Sequence, residues 1–225
     1  TELEPPLHTP ADAVREGLAV DGGPVLLIET SDCCGGGAAG DSVATLRALL
    51  AADVDQLSLV PVVDPSAATA CHRAGVGSQV TLELGHQLDP QWGTPISVSG
   101  TVLRLGDGRF TFRGGAWDQH PGDMGPSAVL QVGAVQILIT SLATYDWTDE
   151  QFQVMQMDYR SAKFVVAKNP MNYRQVYTDL AKRIFFLKTP GPTPATLRFT
   201  RFENLKRPYF PADQTIADLE PVILC

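Results

Sequence analysis

Positive charge is in short supply. Of 225 residues, Lys+Arg number 17 against 25 Asp+Glu, a formal net charge of −8. A phosphate backbone or an anionic lipid surface requires clustered cations. The densest group, Arg198, Arg201, Lys206 and Arg207 with Glu203 inside it, is too thin for that role. Nucleic acid and membrane surfaces are therefore excluded as partners. Cysteine is scarce as well. Cys33, Cys34, Cys71 and Cys225 make no disulfide framework in a chain of this length, and a bridge between adjacent cysteines would be strained. A reducing, cytoplasmic setting is expected. The basic start and apolar run of a signal peptide are also missing, since Thr1–Pro10 carries Glu2, Glu4 and three prolines. There is no initiator Met, as expected of a portion trimmed from something longer. A long uncharged stretch, Pro126–Tyr145, contains Gln131, Gly133, Gln136, Thr140 and Ser141 among β-branched residues. It predicts a β-hairpin in place of a membrane span.

Standard fingerprints of chemistry are absent too. The chain has no H-E-x-x-H, no C-x-x-C and no histidine pair at i, i+4. No Gly-Lys-Ser/Thr ending closes its glycine-rich segment. Asp118, His120 and Asp123 form a loose D-x-H-x-x-D group, more simply read as a solvated loop. No metal site is expected.

What is present suffices for a core: 44% hydrophobic and 19% charged residues describe a globular chain of one large or two small domains. Gly 20 and Pro 17 make it somewhat loop-rich. Thr9-Pro10 caps a lead helix with Val14 and Leu18 on its stripe, ended by Gly22-Gly23. Pro24–Thr30 reads as a buried strand, followed by a glycine loop and a helix from Asp41 or Ser42 to Ala52. Gln56–Val63 is a second strand, broken by Pro61, and Asp64-Pro65 opens a helix closed by Gly75. This order predicts an N-terminal βαβ-like unit with parallel pairing. Residues 78–142 then alternate as a central antiparallel β section. Gln79–Gly85 is one strand, Ile96–Leu105 turns through Gly106-Asp107-Gly108 into Arg109–Arg113, and Val129–Val132 pairs with Val135–Thr140. A short helix from Asp149 to Met155, a strand Phe164–Ala167, a helix over Pro170–Ile184 and a strand to Leu187 precede a proline-rich extended tail. The fold class expected is α/β with a mixed sheet. No repeat or low-complexity tract is visible.

The conspicuous candidate for chemistry is Asp32-Cys33-Cys34-Gly35-Gly36-Gly37-Ala38-Ala39-Gly40-Asp41-Ser42. Consecutive glycines after a strand let backbone N–H groups converge on an anion or developing oxyanion. A plain turn is the competing account. Cys33 or Cys34 as a thiolate nucleophile would need a base, and His8, His72, His86 and His120 carry no defining motif.

Together with the residues C-terminal to it, this string resembles the C-terminal domain of the MlrC-type metallopeptidases, the microcystin-degradation family, whose pattern there runs D-N-P-G-G-G-A-P-G-D-S/T before a Leu-rich helix. Further similarities come in order: Leu46-Arg47-Ala48-Leu49-Leu50, Asp64-Pro65, Ala74-Gly75-Val76-Gly77, Asp107-Gly108-Arg109-Phe110, Gly125–Leu130, Thr140-Ser141, Val165–Asn169, Tyr173-Arg174 and Arg207–Pro211. Cys33-Cys34 and Ala39 depart from the pattern. The likeness spans about residues 10–213. It divides the chain into a linker and lead helix (1–23), an MlrC-type α/β domain (24–213) and a tail (214–225). It implies a zinc-dependent peptidase or amidohydrolase as parent, with the zinc ligands and catalytic carboxylate in an upstream N-terminal domain that is a partner of this chain. Asp32, Cys33, Gly35, Gly36, Gly37, Asp41 and Ser42 are then the candidate substrate- or anion-binding residues, facing a small peptide or amide. This chain alone is expected to hold no zinc and to cleave no bond. A stand-alone small-ligand domain, or a structural, dimerising module in a homo-oligomer, remains the alternative.

Overall fold

The computed structural model describes residues 5–198, 200–213 and 216; Cys225 and nearly all of the 214–225 tail lie outside them. The chain opens with β1 (Leu7–His8), a two-residue strand that the sequence pattern did not announce. Helix α1 (Pro10–Leu18) follows, capped as expected by the Thr9 hydroxyl on Asp12 N. It stops at Ala19, before the glycines, and Lys163 Nζ binds the Val20 and Gly22 carbonyls of the turn beyond it. Next come β2 (Val25–Ile28), α2 (Ala44–Ala51), β3 (Ser58–Val63) and α3 (Pro65–Ala74). The middle holds β4 (Gln79–Leu84), β5 (Ile96–Gly106), β6 (Arg109–Thr111), β7 (Pro121–Asp123), β8 (Ser127–Val132) and β9 (Val135–Thr140). The last elements are α4 (Glu150–Val154), β10 (Phe164–Ala167), α5 (Arg174–Tyr177) and β11 (Arg183–Leu187).

Nine strands share one mixed sheet in the order β1-β11-β2-β10-β3-β9-β8-β5-β4. From β1 to β9 in that order every pairing is parallel, and from β9 to β4 every pairing is antiparallel. The expected α/β class with a mixed sheet is therefore what is observed. Along the central strands alternate residues part to opposite faces. Leu27, Val60, Val62, Ile137 and Val166 pack under α1, α2 and α3, together with Ala13, Val14, Leu46, Leu49 and Ala68. Leu26, Ile28, Leu59, Leu138 and Val165 face Phe152, Met155, Tyr159, Tyr173 and Tyr177 on the other side. No helix among the described residues is long and apolar enough to cross a membrane, and Pro126–Tyr145 contains the predicted hairpin β8–β9.

Four expectations change. β2 and β3 are parallel but not adjacent, because β10, more than a hundred residues later, lies between them. β3 is not broken by Pro61. It runs on beside β9 as far as Val63↔Thr140, while its pairing with β10 stops at Leu59, so the missing proline amide falls where that ladder has already ended. β5 does not fold back on Arg109–Arg113. Both its edges are taken by β4 and β8, and β6 pairs with β7 in a separate ribbon. The Pro170–Ile184 helix shrinks to the single turn α5, because Asn169 Oδ1 captures the Met171 and Asn172 amides and Pro24 O captures the Lys182 amide.

Candidate functional site

β2, β10 and β3 all end at the same sheet edge, the edge where open α/β sheets place ligands. Past Ile28 the chain makes two single 3-10 turns, Thr30–Asp32 and Cys34–Gly36, and past Ala167 it presents Lys168 and Asn169. Lys168 is buried there. Its Nζ lies 2.7 Å from Asp32 Oδ2 and donates to Gly40 O and Ser42 O, both at 2.9 Å, which uses all three ammonium donors. Asp32 in turn accepts from Gly40 N at 2.8 Å and Ser42 N at 2.7 Å. The pair thus fixes residues 40–42 through both their amides and their carbonyls. Burial alone would lower the Lys168 pKa, but the charges of Asp32 and Glu29 outweigh it and hold the amine above its ordinary value.

Glu29 and Asp41 brace the same segment. Glu29 accepts from Ser42 Oγ at 2.7 Å and Thr45 Oγ1 at 2.6 Å, and Asp41 Oδ2 accepts from Leu88 N and Asp89 N. These commitments start α2 at Ala44, later than the sequence suggests. Where β3 and β10 part, Asp146 turns its carboxyl inward to accept the Lys168 amide at 2.9 Å. Burial pushes its pKa up to about 7, opposed by hydrogen bonds from its own and the Lys168 amide and by the Lys168 charge.

The glycines serve close approach. A Cβ on Gly35 would stand 2.6 Å from the Tyr145 ring, and one on Gly36 would stand 2.5 Å from Thr193 Cγ2. Gly37 has φ +93°, which ends the turn. Gly36 N donates to Cys33 O at 2.9 Å and Gly37 N to Cys34 O at 3.0 Å, so these amides close the turn and are not turned outward. Tyr145 Oη accepts from Asn172 Nδ2 at 2.9 Å and donates to Asn169 Oδ1 at 3.3 Å. Burial, with Cys33 and Asp146 nearby, raises its pKa to about 12, so it is a neutral hydroxyl. On the far side Thr193 Oγ1 donates to Thr30 O at 2.6 Å and accepts from Cys33 N at 3.2 Å, tying the proline-rich segment to the loop.

Between these walls lies a cleft of about 690 Å³. Of the seven candidates from the sequence, Cys33, Gly35 and Gly36 line it, while Asp32, Asp41 and Ser42 are buried in the frame behind and Gly37 sits outside the lining. Tyr145, Met171, Arg174 and Thr193 complete the walls. Neither thiol is poised for attack. Burial, then Asp146, raises Cys33 against the opposing amides of Gly36 and Gly35, and burial drives Cys34 to about 12. His72 is bound to Ser127 O, His86 to Val43 N and His120 to Asp118 O. No group of three His, Cys, Asp or Glu among the described residues could hold a metal. Asp118 and Asp123 each accept a local loop amide, from Gly114 and Gly125. Sequence reasoning missed Glu29, Tyr145 and Asp146. Lys168 carried a usable signal, a charged residue directly after the apolar run Phe164–Ala167.

The family described as MlrC C-terminus matches residues 27–204. Microcystinase C of Sphingomonas sp. is 24% identical over 164 residues, covering 73% of this chain and 32% of that protein. The crystal structure of a candidate metallopeptidase from Mesorhizobium sp. BNC1 superposes with a TM-score of 0.81 at 25% identity, over 96% of this chain and 43% of that one. The chain thus spans less than half of the length of either relative.

Proposed function

The chain belongs to the MlrC C-terminus family, and on that premise we propose that it is the C-terminal, non-metal-bearing part of a zinc-dependent peptidase or amidohydrolase acting on a small peptide or amide such as a microcystin. The observation that carries this reading is the cleft at the sheet edge, walled by Cys33, Gly35 and Gly36. Zinc does not fit the described residues of this chain, since they offer no ligand group. The metal would belong to the part of the longer protein that its relatives possess and this chain does not cover. What this chain contributes is shape. Glycine backbone lets the loop sit against Tyr145 and Thr193, which form the facing walls, and the Asp32–Lys168 pair keeps the loop in one conformation. Asp32, Asp41 and Ser42 act from behind the wall, as its frame.

The test joins this chain to its upstream segment and measures amide hydrolysis with zinc present. We expect zinc-dependent turnover that survives Cys33→Ser and Cys34→Ser and falls at least about tenfold, some 1.4 kcal/mol of barrier, in Gly36→Val. Full activity in Gly36→Val would reduce the loop to a turn and sink the reading.

A further inference from the structure

We propose that the cleft is an acid-recognising pocket in which Arg174 binds the carboxylate of an amphipathic ligand whose apolar group lies against the inner walls. This rests on the reading that the cleft belongs to the substrate, and it adds the chemical class that the cleft selects. Its volume of about 690 Å³ suits a small molecule or a peptide side chain with its terminus. Met171, Phe186, Pro192 and Pro194 supply apolar wall, and the prolines make much of it rigid.

Arg174 is the charged side chain among the lining residues. Like Arg47, Arg73 and Arg160, and unlike Arg15, Arg113 and Arg207, Arg174 has no ion pair with any described residue; what sets it apart is its place at the cleft. Its guanidinium lies 5.1 Å from the Tyr173 ring centroid, and stacking of that kind fixes the plane of the fork without using its N–H donors. In a chain of net charge −8, an arginine left unpaired at an apolar cleft is matched to an acidic ligand and not to the protein's own carboxylates. An apolar space with one free guanidinium among its lining residues favours a molecule that is apolar in its body and acidic at one end.

The test measures binding of 3-phenylpropionate and of its neutral analogue 3-phenylpropan-1-ol to the full-length protein carrying this chain. Neither probe contains an amide bond, so hydrolysis plays no part. The acid should bind about tenfold more tightly than the alcohol, the worth of one charge-assisted contact. Arg174→Gln, on an exposed side chain that the core does not use, should bring the ratio close to one, and Arg174→Lys should restore part of it. A preference for the acid that persists in Arg174→Gln means the carboxylate binds elsewhere, on a metal for instance, and overturns the proposal. Equal binding of both probes to the unaltered protein, or binding of neither, overturns it too. Acid-selective binding in a protein that hydrolyses no amide would instead sink the catalytic reading and leave this one standing.

Discussion

Lys168 and Asp146 meet at one backbone amide and respond to substitution in different ways. Lys168 is buried with every donor used, so Lys168→Met strips the counter-charge from Asp32 and the partner from two carbonyls. Breaking a buried pair on one side costs about 3–5 kcal/mol, much of it for the charge left behind. We expect that loss in urea unfolding, and partial recovery in the double variant Lys168→Met/Asp32→Asn. Strict additivity of the two single changes would show that the pair is not coupled. Asp146 concerns pH. Its folded pKa is raised to about 7, against about 3.9 in an unfolded chain. Between those values the native state binds the extra proton, so this group's contribution is full below about pH 4 and is lost as pH rises through 7. Relative to Asp146→Asn, the unaltered protein should therefore lose stability from pH 4 to pH 7. Parallel stability curves for the two proteins would refute the assignment. Of these residues, Asp32 and Ser42 were legible because they bracket a glycine run. Asp146 was not. Its character comes from the parting of β3 and β10, a long-range event with no local pattern.

Among the elements, those ruled by local chemistry were readable and those ruled by distant partners were not. Thr9-Pro10 and Asp64-Pro65 cap their helices as their residue types dictate. The hairpin at Gly133 followed from alternation and a turn glycine with φ +57°. By contrast, no feature of Phe164–Ala167 reveals that it inserts between β2 and β3, and no feature of Arg109–Thr111 reveals that β7 is its partner. The Pro170–Ile184 stretch has helical composition, but the Asn169 side chain competes for its first amides and wins. Asp64 joins the two kinds of element. Its Oδ1 caps α3 at Ala67 N, and its Oδ2 accepts from Gly85 N at the end of β4. Asp64→Ala should cost about 1–3 kcal/mol, more than an ordinary cap, because a second buried amide is orphaned. Asp64→Asn should keep the cap and recover part of the loss. A urea midpoint unchanged in Asp64→Ala would show that neither bond matters.

At the scale of the molecule, stability is expected to be independent of metal. The central strands bury both faces, one under α1, α2 and α3 and the other under α4, α5 and the aromatic residues Tyr159, Tyr173 and Tyr177. The charges at the sheet edge are neutralised by Lys168 and backbone amides, with no ligand group among the described residues left to be organised by a cation. A metal held only by the folded state at a hundredfold over its Kd adds about 2.7 kcal/mol, and each kcal/mol moves the melting temperature of a chain this size by about 2–4 °C. Removing such a metal would thus lower the transition by roughly 5–10 °C. The expected result for the 225-residue chain is no shift on chelation and none on adding zinc. A shift in that range would require a ligand set, and Asp118, His120 and Asp123 would be the first to substitute. The same scan on the joined protein separates its two parts. If the metal lies in the upstream segment, as proposed, chelation should lower that segment's transition and leave that of this chain where it stands in isolation. A chelation-induced fall in this domain's own transition would mean that the metal is shared across the two, and the cleft would have to be redrawn with a ligand from this chain in it.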